Sequence, residues 1–200
     1  MTGESEMQQP TEMNPEDLPE ARAFQDEFTR QFLQSTEETR PGYYLFQSGT
    51  GKYTMDFPAG GIIGEKSYAL KEDETENIMI GVQRDDGEVG ITVSYNALRN
   101  SERVADFLAS MERKMDENLE FEKNDLEEQT IYFSEYISDY GNYNFIGYIQ
   151  SKEGCGGIEF SFTYDSKTNL SKEDAETEAK NILQSVRFDL GKEKVNDRYG

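Results

Sequence analysis

The stretch IMIGVQRDDGEVGITVSY, residues 78–95, consists of two apolar runs on either side of an Asp-Gly turn. Runs of this kind with period two read as strands, and a short Asp-Gly link between them closes a β-hairpin. Hairpins join antiparallel neighbours, whereas parallel neighbours need a long crossover. The reading therefore begins from an antiparallel sheet, and the rest of the chain decides what covers it.

Upstream, Tyr53, Met55 and Phe57 point one way while Thr54 and Asp56 point the other, and Pro58 stops that strand. GGIIGEKSYAL is a glycine-bounded apolar segment, and KEDETEN, residues 71–77, reads as an acidic turn. Downstream, Asn100 or Ser101 caps a helix carrying Val104, Phe107, Leu108, Met111 and Met115 at helical spacing. A second β region follows in LEFEKND, QTIYFSEYIS, YNFIGYIQ and GIEFSFTY. Ser171 and Asp174 then form a capping-box-like start to a last helix with Ala175, Ala179, Ile182, Leu183 and Val186 on one side. At the other end, Asn14 and Pro15 open a helix with Leu18, Ala21, Phe24, Phe28 and Phe32 on one face, expected over 14–36.

The order helix, strands, helix, strands, helix predicts an α+β domain over residues 40–190, a central mostly antiparallel sheet flanked by helices, with an extra N-terminal helix. Residues 1–13 read as a disordered lead and residues 191–200 as a loose charged tail.

The 41 acidic and 20 basic residues give a net charge of −21, which repels nucleic acid and anionic lipid and can attract basic partners or divalent cations. The chain has no histidine, which removes the commonest general base and the imidazole ligands of most catalytic zinc sites. One cysteine, Cys155, leaves no intrachain disulfide framework, and its glycine-rich setting reads as a turn between strands. SGTGK, residues 48–52, invites a phosphate-loop reading and fails it. Phe46 stands where the first glycine belongs, Tyr53 replaces the hydroxyl that would hold magnesium, and a strand follows instead of a helix. As a calcium loop, DSKTNLSKEDAE offers Asp165, Asn169 and Glu176, yet Lys167 and Leu170 occupy positions that need an acid and a glycine. No cofactor or metal site and no catalytic residue is nominated.

GKYTMDFPAGG, residues 51–61, is similar to the opening strand of the PsbP-like family, with its Tyr-x-x-x-Phe-Pro-x-Gly pattern. ITVSYNALRNSERVADFL and AKNILQSVRF also resemble that family, so the likeness spans roughly residues 43–190. It departs at Gly61, where the family often has Trp, and in the N-terminal helix. The resemblance implies a non-enzymatic adaptor or assembly factor. For a bacterial relative, it implies an extracytoplasmic envelope protein, lipid-anchored through a segment upstream of this sequence. A cytoplasmic location is the alternative.

YFSEYISDYGNYNFIGY, residues 132–148, carries five tyrosines, side chains that join a broad apolar face to a hydroxyl and are enriched at contact surfaces. Tyr132, Tyr136, Tyr140 and Tyr143, with Glu135 and Asp139 as acceptors, are the expected partner surface. Burial of the tyrosines under a helix is the competing reading. The function expected is a non-enzymatic interaction or assembly module of the bacterial envelope. A small-ligand or cation-binding carrier, or a carboxylate-based enzyme, is the alternative.

Overall fold

The computed structural model describes residues 9–165 and 167–189. Every strand pairing among them is antiparallel, as the hairpin reading requires. Four strands form a small sheet in the order β1-β2-β3-β12: β1 Leu33–Arg40, β2 Tyr43–Gln47, β3 Tyr53–Pro58 and β12 Arg187–Phe188. The larger sheet runs β4-β6-β7-β11-β10-β9-β8. Its strands are β4 Gly61–Ile63, β6 Thr75–Arg84, β7 Gly87–Asn96, β8 Glu122–Asp125, β9 Gln129–Ile137, β10 Asn142–Ser151 and β11 Gly157–Asp165. β5, Ala69–Lys71, also pairs with β6.

Alternation decides the faces of the larger sheet. Ile78, Ile80 and Val82 of β6 align with Val93, Ile91 and Val89 of β7, all buried, and Ile158, Phe160, Phe162 and Tyr164 continue that face on β11. Over it lie the small sheet, with Tyr53 against Tyr95 at 5.5 Å, and helix α4, Lys172–Ser185. Gly147 lets Leu183 of α4 approach β10, since a Cβ there would stand 2.6 Å from Leu183 Cδ2. The opposite face is covered on one side only, by helix α3, Val104–Met115, which packs Met111 and its neighbours on Ile146 and Tyr148. Ser171 caps α4 as expected, its hydroxyl accepting the Asp174 N–H at 3.1 Å.

The N-terminal helix expected over 14–36 is corrected. It is reduced to two four-residue turns, α1 Arg22–Gln25 and α2 Glu27–Arg30, and β1 takes the residues from Leu33. Asp26 breaks the helix by adopting an extended backbone and using its carboxylate to accept the Thr29 N–H at 2.8 Å. The aromatic spacing still serves packing, because Phe24 and Phe32 are buried and Phe28 lies against them. The body of the fold thus begins before residue 40. Of the lead expected to be disordered, residues 1–8 lie outside the described residues. Residues 10–12 form a 3-10 turn with Pro10 buried, and Met13 touches the core. The charged tail at 191–200 also lies outside the described residues.

Candidate functional site

The tyrosine-rich hairpin β9–β10 does not gather its nominated residues on one surface. Tyr132 and Tyr136 lie half-buried against the α3 cluster, and Tyr136 donates to Met115 Sδ at 3.5 Å. The helix is therefore their cover. Tyr143 faces the other side of the sheet and stacks on Tyr164 at 5.3 Å. Glu135 shares that side and pairs with Lys172 at the start of α4, 2.5 Å away. The end of the hairpin is its most open part. Tyr140 is 89% exposed, Ile137 is 57% exposed, and Asp139 lies exposed between them. Period two placed Ile137 with Ile131 and Phe133, but β9 outruns the helix that buries those two.

The SGTG turn does bind a carboxylate, and the carboxylate is the protein's own. Gly49 N–H donates to Glu76 Oε1 at 2.7 Å, and the Tyr68 hydroxyl donates to the same oxygen at 3.0 Å. Gly49 is required, since a Cβ there would lie 2.1 Å from the Tyr68 hydroxyl. Glu76 is fully buried on β6, opposite Tyr95, with its Oε2 and the nearby Tyr53 hydroxyl left without a hydrogen-bond partner of good geometry. Burial raises the Glu76 pKa above the ordinary carboxylate value, only partly offset by the Gly49 and Tyr68 hydrogen bonds. Burial likewise pushes Tyr53 and Tyr68 up, and Tyr95 up to about 12. The sequence reading placed Glu76 in an acidic turn. The signal available was the register of the 78–95 hairpin, which carries Glu76 onto the inward face with Ile78 and Ile80.

Glu159 on β11 is a second enclosed carboxylate, on the α3 side of the sheet. Arg99 pairs with it, and Lys114 of α3 approaches its Oε2 at 2.8 Å. Burial opposes ionisation here too, but hydrogen bonds from Lys114 and Arg99 prevail and hold the pKa below the ordinary value. The guanidinium also lies over the Phe107 ring at 4.9 Å, fastening α3 to the sheet.

Two concavities flank these elements. An open groove of about 580 Å³ lies on the sheet face that α3 leaves bare, with the paired Gly81 and Gly90 as its floor, Met79 beside them, and Arg22 and Glu88 as its charged lining. A second, of about 450 Å³, lies at the outer edge of β9 and is lined by Glu120, Glu122, Glu135 and Glu176 around Phe133. Two of the calcium-loop candidates have their carboxylates engaged elsewhere: Asp165 Oδ1 accepts the Lys167 N–H at 2.9 Å, and Glu176 pairs with Lys180 at 2.8 Å. Cys155 is exposed in the turn between β10 and β11. No helix among the described residues is long and apolar enough to cross a membrane.

Residues 19–187 match the family described as "Putative lipoprotein YvcA". A protein of Bacillus subtilis (strain 168), named "Putative lipoprotein YvcA", is 28% identical over 207 residues, covering 95% of this chain and 86% of that protein. Among solved structures, a crystal structure from Bacteroides thetaiotaomicron VPI-5482 is similar at a TM-score of 0.41 and 14% identity, over 72% of this chain. The chain spans 48% of that longer one.

Proposed function

Since the chain belongs to the family of the putative lipoprotein YvcA, we propose that it works outside the cytoplasm as a lipid-anchored, non-enzymatic interaction module. The name carried by its Bacillus subtilis relative supports the location, and the PsbP-like pattern of Tyr53, Phe57, Pro58 and Gly60 supports an adaptor role on a PsbP-like scaffold.

The observation that carries the reading is the end of the β9–β10 hairpin. Tyr140 at 89% exposure and Ile137 at 57% lie three residues apart in the chain there, with Asp139 and Glu135 as sequence neighbours. An exposed aromatic beside an exposed aliphatic chain buries area on contact with little loss of rotamer freedom. The acids around them steer a basic partner, and the association weakens with salt.

The test is co-purification from the envelope of the native host, comparing the wild type with Ile137→Ser/Tyr140→Ala. The double variant loses roughly 1–4 kcal/mol of partner affinity and keeps its melting temperature. Recovery of the same partner, in the same yield, by both proteins would sink the reading.

A further inference from the structure

The outer edge of β9 is only half used. β8 pairs with residues 130–133 of β9, from Asp125↔Thr130 to Glu122↔Phe133, and stops there. β9 continues to Ile137, held on its inner side by β10 through Ile137↔Tyr143. Along 134–137 the outer side has no strand beside it among the described residues. The segment 118–121 that leads into β8 makes no backbone hydrogen bond to it. Outward N–H and C=O groups on such an edge are a template for one more strand. The edge opens into the 450 Å³ cleft that holds Glu120, Glu122, Glu135 and Glu176 over an apolar floor at Phe133. The cleft's cations are already shared inside the molecule: Lys172 with Glu135 at 2.5 Å, and Lys180 with Glu176 at 2.8 Å and Glu122 at 3.7 Å.

We propose that residues 135–137 of β9 receive an extended, cationic segment of a partner protein, which adds a strand in line with β8. This rests on the interaction-module reading and names the partner's chemistry. Ser134, at 4% exposure, is closed off where β8 ends, so the open edge is residues 135–137, which at roughly 3.3 Å each offer about 10 Å of pairing, enough for a short extended stretch. Alternate side chains of the incoming strand fall on opposite faces. Those on the α4 face meet the cleft carboxylates, so lysine or arginine belongs there. Ile137, on the same face, offers apolar contact to the stems of such side chains. Charge decides against a second copy of this chain as the occupant. Self-pairing across a two-fold axis would bring these carboxylates against their own equivalents.

The test uses the full chain and a synthetic peptide of alternating Lys and Val. Two controls are the same peptide with Glu in place of Lys and one N-methylated on alternate backbone nitrogens, which keeps its charge and loses the ladder. The Lys-Val peptide is expected to bind in a salt-dependent manner and to slow hydrogen exchange at residues 135–137. The N-methylated peptide and the Glu120→Lys/Glu122→Lys variant should each weaken binding by about tenfold or more, while the Glu-containing peptide does not bind. Both glutamates are exposed, so the variant is expected to fold, and its melting curve checks this. Equal binding of the N-methylated peptide, protection on the Gly81–Gly90 face instead, or a dimer that the peptide leaves unchanged overturns the proposal. So does absence of binding. If the peptide fails while Ile137→Ser/Tyr140→Ala still loses its native partner, strand addition falls and the interaction-module reading stands.

Discussion

Glu76 and Glu159 occupy neighbouring positions on opposite faces of one sheet. Glu76 pairs across to Tyr95, Tyr95 pairs to Ile158, and Glu159 is the next residue. Both are enclosed, yet their surroundings differ in kind. Glu76 is met by a backbone N–H and by the Tyr68 hydroxyl, with no cation among its hydrogen-bond partners, and its pKa rises. Glu159 is met by Arg99 and Lys114, and its pKa falls. Burial disfavours the charged form in both places, so the difference comes from whether a full positive charge reaches the carboxylate. The first glutamate fastens the 48–51 turn of the small sheet to the large one, and the second fastens α3 to the other face.

Truncation should have its largest effect at the cationless site. Glu76→Ala leaves the Gly49 N–H and the Tyr68 hydroxyl without their acceptor and opens space in the core, costing about 2–4 kcal/mol in urea unfolding. Glu159→Ala leaves Arg99, whose side chain is 15% exposed, without its carboxylate while the more open Lys114 turns to water, and should cost about 1–3 kcal/mol. A smaller loss at Glu76 than at Glu159 would break the comparison.

The hairpin tyrosines repeat the contrast between covered and open on a smaller scale. Tyr136→Ala removes a half-buried ring from the α3 cluster and should cost about 1–2 kcal/mol, whereas Tyr140→Ala should stay within about 0.5 kcal/mol. Thermal melts of the two single variants decide it.

The two glutamates should also give pH slopes of opposite sign. Folded Glu76 holds its proton to higher pH than the unfolded chain, whose value is 4.5. Above that value the folded state binds more protons, so the Glu76 contribution is fully present below 4.5 and is lost as pH rises through the raised folded pKa. Folded Glu159 releases its proton earlier than the unfolded chain, so its contribution is present above 4.5 and is lost as pH falls through the lowered folded pKa. Urea unfolding across a pH series should therefore show Glu76→Gln flattening the higher-pH side and Glu159→Gln flattening the acid side. The same slope in both variants would mean that the two sites are alike.

The period-two runs of β6, β7, β9, β10 and β11 and the stripes of α3 and α4 were legible because each carries one buried face over many residues. β1 was not. It is an edge strand whose residues after Leu33 are half-buried or exposed, so it has no apolar alternation to read, and its residues 33–36 fall within the span expected to be helix. The tyrosines of the hairpin were found as a group and then divided, because alternation assigns faces without saying which face a helix will cover.

By itself the sequence determined an antiparallel α+β body, a strongly acidic surface and the failure of SGTGK as a phosphate loop, since these follow from local period, composition and spacing. Only the tertiary structure decided that the turn's glycine serves the distant Glu76, that Tyr136 is covered while Tyr140 is open, and that β8 stops short of the end of β9. The physical reason is that burial and pairing depend on which element arrives from elsewhere in the chain. No window of neighbouring residues contains that information.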